Sequence, residues 1–171
     1  ALTKSRGIEY GEIVSMPETE RAIRTALQSA QKLANSRVDH VIACVSGGSP
    51  RSYGLEGGID IKSEIVDDTD IADVIGSCGI PAFEPDREIL HAQPVNFSLD
   101  HRTGLSDPRG QIGKYLSVDM HMLTIKEKTI QDLAYCIKRC DLELAGVASS
   151  SYISALSSLV EDEKELGAAC I

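Results

Sequence analysis

The chain has no tryptophan and only two phenylalanines among its 171 residues, so any core it buries must be aliphatic. It is also short of positive charge. Seventeen Lys and Arg face 26 Asp and Glu, a formal charge of −9, which repels nucleic-acid phosphate and anionic lipid and excludes broad nucleic-acid binding. No apolar run approaches the roughly 20 residues of a membrane span, and no signal peptide is visible. The glycine pair Gly47-Gly48 is followed by no Gly-Lys-Ser/Thr, and no GxGxxG opens a helix; a strand-exit turn, not a phosphate loop, is the expectation there. Asp67, Asp68, Asp70 and Asp73 lack the glycine and the distal glutamate of a calcium loop, and acids in the first turn of a helix complement its dipole. The five cysteines are odd in number and mostly on apolar faces, which fits reduced thiols rather than a disulfide framework. Cys136 and Cys140 are one helical turn apart, but no neighbouring Cys or His completes a metal site. The four histidines, His40, His91, His101 and His121, are paired with no evident nucleophile, although His91 and His121 sit in strands that could lie side by side. Neither catalysis nor a metal centre is expected.

What is present is an alternation of strands and amphipathic helices in one ordinary domain or two small ones, with 42% hydrophobic residues to build them. Ile8 to Val14 alternates weakly, as one short strand. Pro17 then stands where a helix can start at no cost to its missing N–H, and Ile23, Ala26, Leu27, Ala30, Leu33 and Ala34 follow at helical spacing up to Asn35. Val38 to Val45 reads as a buried strand and Gly57 to Ile61 as a short one; Asp67 or Asp68 caps a helix carrying Ile71, Val74, Ile75 and Cys78, closed by Gly79. The clearest strand pattern is Tyr115 to Thr124, with Leu116, Val118, Met120 and Met122 on one face. Its expected partner is Ile89 to Leu99, where Val95, Phe97 and Leu99 share a face and Pro94 marks an edge or a bulge. The connection from Asp100 to Lys114, with Gly104, Asp107-Pro108, Gly110 and Gly113, is far longer than the ~2–5 residues of a hairpin. A further helix carries Ile130, Leu133, Ala134 and Ile137, a strand runs from Leu142 to Ala148, and a long last helix carries Ile153 to Val160 and ends in Glu161-Asp162-Glu163, acids that would oppose its dipole. Ala168 to Ile171 reads as the first half of a buried strand. With no initiator Met, this is the pattern of a segment from a longer protein.

Three blocks stand out: Gly11-Glu12-Ile13-Val14 running into a helix; Ile89-Leu90-His91, Gly104, Asp107-Pro108, Gly110, Gly113, Leu116 and His121 in that order; and Leu159 to Gly167. Together they resemble the bacterial cell-division FtsA family of the actin-like ATPase superfamily. The resemblance covers essentially the whole chain. It implies an α/β fold in three parts: residues 1–52 and 126–171 as pieces of a ribonuclease H-like, actin-type domain 1A, and 53–125 as an inserted strand-helix-strand-strand domain, 1C or SHS2. One departure is local, Ser49-Pro50 where the family would have a His-hydrophobic pair.

The resemblance further implies a septal, peripheral adaptor at the cytoplasmic side of the inner membrane. Such a protein self-associates into actin-like filaments with ATP and Mg, tethers FtsZ and recruits later division proteins. In this segment, which would lack the main phosphate loops and the C-terminal membrane helix, it implies protein contact rather than catalysis. The candidate contact residues are Asp73 on the helix and Arg102, Asp107, Arg109 and Gln111 in the long loop; Ser154 falls near the nucleotide of the parent. The alternative is a fragment of another actin-superfold ATPase or small-molecule kinase.

Overall fold

The computed structural model describes residues 1–170 and divides into two compact units, 1–49 with 125–171 and 50–124. In the first unit, the glycine-rich start of the chain folds as a two-residue-per-strand hairpin, β1 (Ile8–Glu9) and β2 (Glu12–Ile13), rather than the single strand expected. Tyr10 and Gly11 both take positive φ, 51° and 76°, the conformation a tight hairpin turn requires. Helix α1 (Met16–Ala34) follows with Pro17 in its first turn and Asn35 as its left-handed cap. Thr19 is buried and its hydroxyl donates to the carbonyls of Gly7 and Ser15, each at 3.0 Å, tying the helix to the hairpin.

Strand β3 (His40–Val45) pairs in parallel with β8 (Glu143–Ser149). Helix α3 (Glu127–Arg139) precedes β8, and a core of Ile137, Cys140 and Leu142 with Ile23, Leu27, Val41 and Leu144 fills the space between α1, α3 and this sheet. Beyond β8 the expected single long helix is two: α4 (Ser150–Ser158) stops at the extended residues Leu159 and Val160, and α5 (Glu161–Leu166) begins anew. The three acids therefore sit in a first turn, where they complement the dipole, and Glu163 accepts from the Val160 N–H at 3.0 Å. Residues 167–170 form no strand, and Ile171, the rest of that expectation, lies outside the described residues.

The second unit carries a four-stranded sheet. Strand β4 (Arg51–Asp60) is twice the length expected from Gly57 to Ile61; Tyr53, Leu55, Gly57 and Ile59 lie on its inner face, and three glycines hid that alternation. Helix α2 (Asp68–Ser77) has a complete capping box, with Asp67 accepting from the Thr69 and Asp70 N–H groups and Asp70 accepting from the Asp67 N–H. It ends on extended Cys78, not on a glycine turn at Gly79. A Cβ at Gly57 would collide with Cys78 Sγ, Ser77 Oγ and the Val74 carbonyl, so the missing side chain is what lets α2 settle onto β4. Strands β5 (Arg87–Leu99) and β7 (Tyr115–Lys126) complete the inner face, and Val66, Ile71, Val74, Phe97, Leu99, Leu116, Val118 and Met120 form its core.

The strands lie in the order β4-β7-β5-β6, so β5 and β7 are neighbours as expected. The departure is a fourth strand, β6 (Arg102–Leu105), which has condensed out of the long connection to pair with the end of β5. Val95 is 63% exposed although it alternates with buried Phe97 and Leu99. A strand of 13 residues spans about 43 Å, against about 15 Å for the ten-residue α2, so the helix leaves part of β5 uncovered. Arg87, at the other end of β5, is buried and donates from Nε to Thr124 Oγ1 at 3.0 Å and from an Nη to the Thr124 carbonyl at 2.9 Å.

Candidate protein-interaction surface

The connection between β6 and β7 is not a free loop. Its backbone is laced to residues 61–66, which continue β4: Ile61 N–H donates to the Lys114 carbonyl at 2.7 Å, Gly113 to Glu64 at 3.1 Å, Val66 to Gln111 at 3.0 Å and Gly110 to Val66 at 2.9 Å. Pro108 is fully buried among these bonds. In the turn between β5 and β6 Asp100 takes a left-handed φ of 53°, and its carboxylate accepts from the Lys114 and Tyr115 N–H groups at the start of β7. Those two backbone donors, Tyr115's first, hold the Asp100 carboxyl below the usual range.

Four of the five candidate contact residues come together here. Arg109 Nε donates to Asp68 Oδ1 at 2.7 Å, and its Nη1 and backbone N–H both reach Asp107 Oδ1, at 3.0 and 3.1 Å. Gln111 Nε2 donates to the Asp107 carbonyl at 3.3 Å; Arg102 donates to Gln111 Oε1 at 2.8 Å and to the Ile112 carbonyl at 3.0 Å. The hydrogen bond to Asp68 and then that to Asp107 raise the Arg109 pKa, and the Arg109 backbone N–H and then its side chain lower that of Asp107. Both arginines and both acceptors are thus tied into the loop's own framework. Asp73 stands apart on α2, exposed and without a hydrogen bond or ion pair among the described residues.

What this framework presents outward is apolar. Ile65 and Ile112 face each other across an antiparallel bridge and are 50% and 71% exposed, beside Arg102 and Gln111. The sequence reading missed this pair because neither residue belongs to a periodic run; the only signal was an isoleucine inside a glycine-rich loop. An ordered apolar pair rimmed by polar side chains has the make-up of a contact surface.

Ser154, the nucleotide candidate, lies in the other unit, on the exposed side of α4, where its carbonyl accepts from the hydroxyls of Ser157 and Ser158. The glycine turn after β3 has a packing role: side chains at Gly11 or Gly47 would run into the backbone of the other. Among the described residues no group of His, Cys, Asp and Glu is placed to hold a metal, and no helix is long and apolar enough to cross a membrane.

Residues 47–124 match the family of the SHS2 domain inserted in FTSA. Across 98% of its length the chain is 36% identical to cell division protein FtsA of Rhizobium meliloti, and across 95% it is 31% identical to that of Pseudomonas aeruginosa and 23% identical to that of Escherichia coli. The segment is FtsA-like. It spans 38% of the Rhizobium protein and 39% of the other two, and these likenesses support a role in cell division. A chain of a PilM-PilN type IV pilus biogenesis complex superposes on 90% of it with a TM-score of 0.52 at 9% identity, covering 40% of that chain; this likeness concerns the fold alone. The fold class is the one expected, a partial actin-type α/β fold with an inserted SHS2-like domain. In this FtsA-like segment the inserted domain is where the loop framework and its apolar pair reside.

Proposed function

We propose that the segment supplies protein contacts to a bacterial cell-division adaptor, through the face of its SHS2-like domain that carries Ile65, Ile112 and the Arg102–Gln111 pair. The observation that carries this reading is the exposed isoleucine bridge on a framework in which Arg102, Asp107 and Arg109 are already bonded. A surface ordered at this cost in conformational entropy, yet left apolar, is suited to a partner. In the same reading the parent binds ATP with Mg, self-associates as an actin-like filament, tethers FtsZ and recruits later division proteins at the cytoplasmic side of the septal inner membrane. Ser154 lies near the parent's nucleotide, and Asp73 extends the contact surface onto α2.

The test is recruitment of purified division proteins by the full-length parent carrying Ile112→Asp. Loss of one partner with an unchanged melting temperature is the expected result. Full retention of every partner removes this face from the interface.

A further inference from the structure

The two edges of the SHS2-like sheet are built differently. On one side β6 has four residues, its pairing with β5 shifts register between Phe97 and Leu99, and the exposed Pro94 stands further along β5. Short strands, bulges and prolines are the usual devices that prevent another strand from adding to a sheet. On the other side β4 runs for ten residues, RSYGLEGGID, in one unbroken register with β7, from Arg51 opposite Thr124 to Asp60 opposite Tyr115, and contains no proline and no lysine.

The direction of its backbone groups follows from the ladder. Ile61 N–H donates to the Lys114 carbonyl. Counting back in steps of two, the odd-numbered residues of β4 exchange bonds with β7, and the N–H and C=O groups of Ser52, Gly54, Glu56, Gly58 and Asp60 turn outward. Ser52, Gly54, Glu56 and Asp60 are exposed, and a Cβ at Gly54 would meet no heavy atom within 4 Å. Gly58 differs, being covered by the Tyr115 ring, whose phenol oxygen a side chain there would strike.

We propose that the outer edge of β4 accepts an extended segment of a partner protein as an added strand, and that this segment alternates apolar and basic residues. Every second side chain of such a strand would lie beside Leu55 and Ile59, half-buried at the margin of the core under α2, and beside Tyr53, whose ring meets that of Phe83, and must be apolar. The intervening ones would lie beside Glu56 and Asp60, with the bare Gly54 leaving room for long stems. The unit from 50 to 124 carries six basic against thirteen acidic side chains, a net −7 of the chain's −9. A second copy of β4 would bring this acidic unit, with its Glu56 and Asp60, against itself, a repulsion that a basic strand turns into attraction.

The probe is a fluorescein-labelled ten-residue peptide of alternating valine and lysine, added to the chain and followed by anisotropy and by amide hydrogen exchange. The expected result is saturable binding that protects the amides of Ser52, Gly54, Glu56, Gly58 and Asp60 and leaves the odd-numbered ones unchanged. Glu56→Lys should weaken binding by about tenfold, and an alternating valine and glutamate peptide should not bind. Glu56→Pro removes one outward N–H without touching the β7 ladder and should abolish binding. The same peptide N-methylated at every second residue tests the backbone contact without altering the protein, and should bind far more weakly. Ile112→Asp should leave peptide binding intact, which separates this edge from the surface under Proposed function. Protection centred on α2, protection without a period of two, or no saturation at millimolar peptide overturns the proposal. So does concentration-dependent self-association that protects the same amides, since the occupant would then be a second copy.

Discussion

Arg109 reaches back 41 residues to Asp68, its Nε 2.7 Å from the carboxylate at the first residue of α2. The contact holds the connection between β6 and β7 against the helix start, where a carboxylate also favours the dipole. Arg109→Glu places like charge against Asp68 and Asp107, so exchange of the Gly110 and Gly113 amides should accelerate while the global melting temperature barely moves, the pair being on the surface. The double variant Asp68→Arg with Arg109→Asp should restore slow exchange. Unchanged exchange in the single variant would show that the backbone lacing to 61–66 alone orders the loop.

Helix α2 depends on Gly57. Gly57→Val would press two methyl groups into Cys78, Ser77 and the Val74 carbonyl, and overpacking of this kind costs about 1–3 kcal/mol. For comparison, Leu116→Ala, which empties a fully buried position, should cost about 2–5 kcal/mol. Chemical denaturation measures both, and a neutral Gly57→Val would mean that α2 shifts freely along β4.

These positions show how far the sequence could be read. Phe97, Leu99 and the alternating β7 were legible because one buried face writes a period of two into the chain, and a cap at Asp67 or Asp68 was legible because its hydrogen bonds are local, Asp67 being the one that forms it. β4 was half-hidden because Gly57 and Gly58 replace side chains where α2 and the Tyr115 ring lie close, and Gly54 interrupts the pattern further. The break between α4 and α5 was invisible because Leu159 and Val160 keep the helical apolar pattern while adopting extended backbone. At the candidate surface, Arg102, Asp107, Arg109 and Gln111 could be named from their loop. Their mutual bonding could not, since it depends on contacts with Asp68 and with the backbone of 61–66, which no local pattern encodes.

The cysteines should divide by burial. Cys44 and Cys170 are exposed, whereas Cys136 is fully buried, and that burial, followed by the neighbouring Cys140, pushes its thiol up to about 11. The thiolate is the reactive form. Brief iodoacetamide treatment of the native chain at pH 8 should therefore alkylate Cys44 and Cys170 and spare Cys136 and Cys140, as peptide mass spectrometry would show. Labelling of Cys136 at the rate of Cys44 would mean that the α1–α3 packing opens.

Acidification should act through two groups with opposite chemistry and the same sign. Burial, and then the nearby His121, lowers the His91 pKa from 6.5, so below that pH the unfolded chain takes up a proton that the folded one resists, and stability falls. Asp100 is also lowered, from 3.8, because its charged form receives the Tyr115 and Lys114 N–H groups; its contribution is complete above that value and disappears as pH falls through the folded value. Urea midpoints should therefore decline between pH 7 and pH 5 through His91, and again below about pH 4 through Asp100. His91→Gln should flatten the first decline and leave the second, and Asp100→Asn should do the reverse while lowering stability near neutrality. A first decline that persists in His91→Gln would assign it to another group.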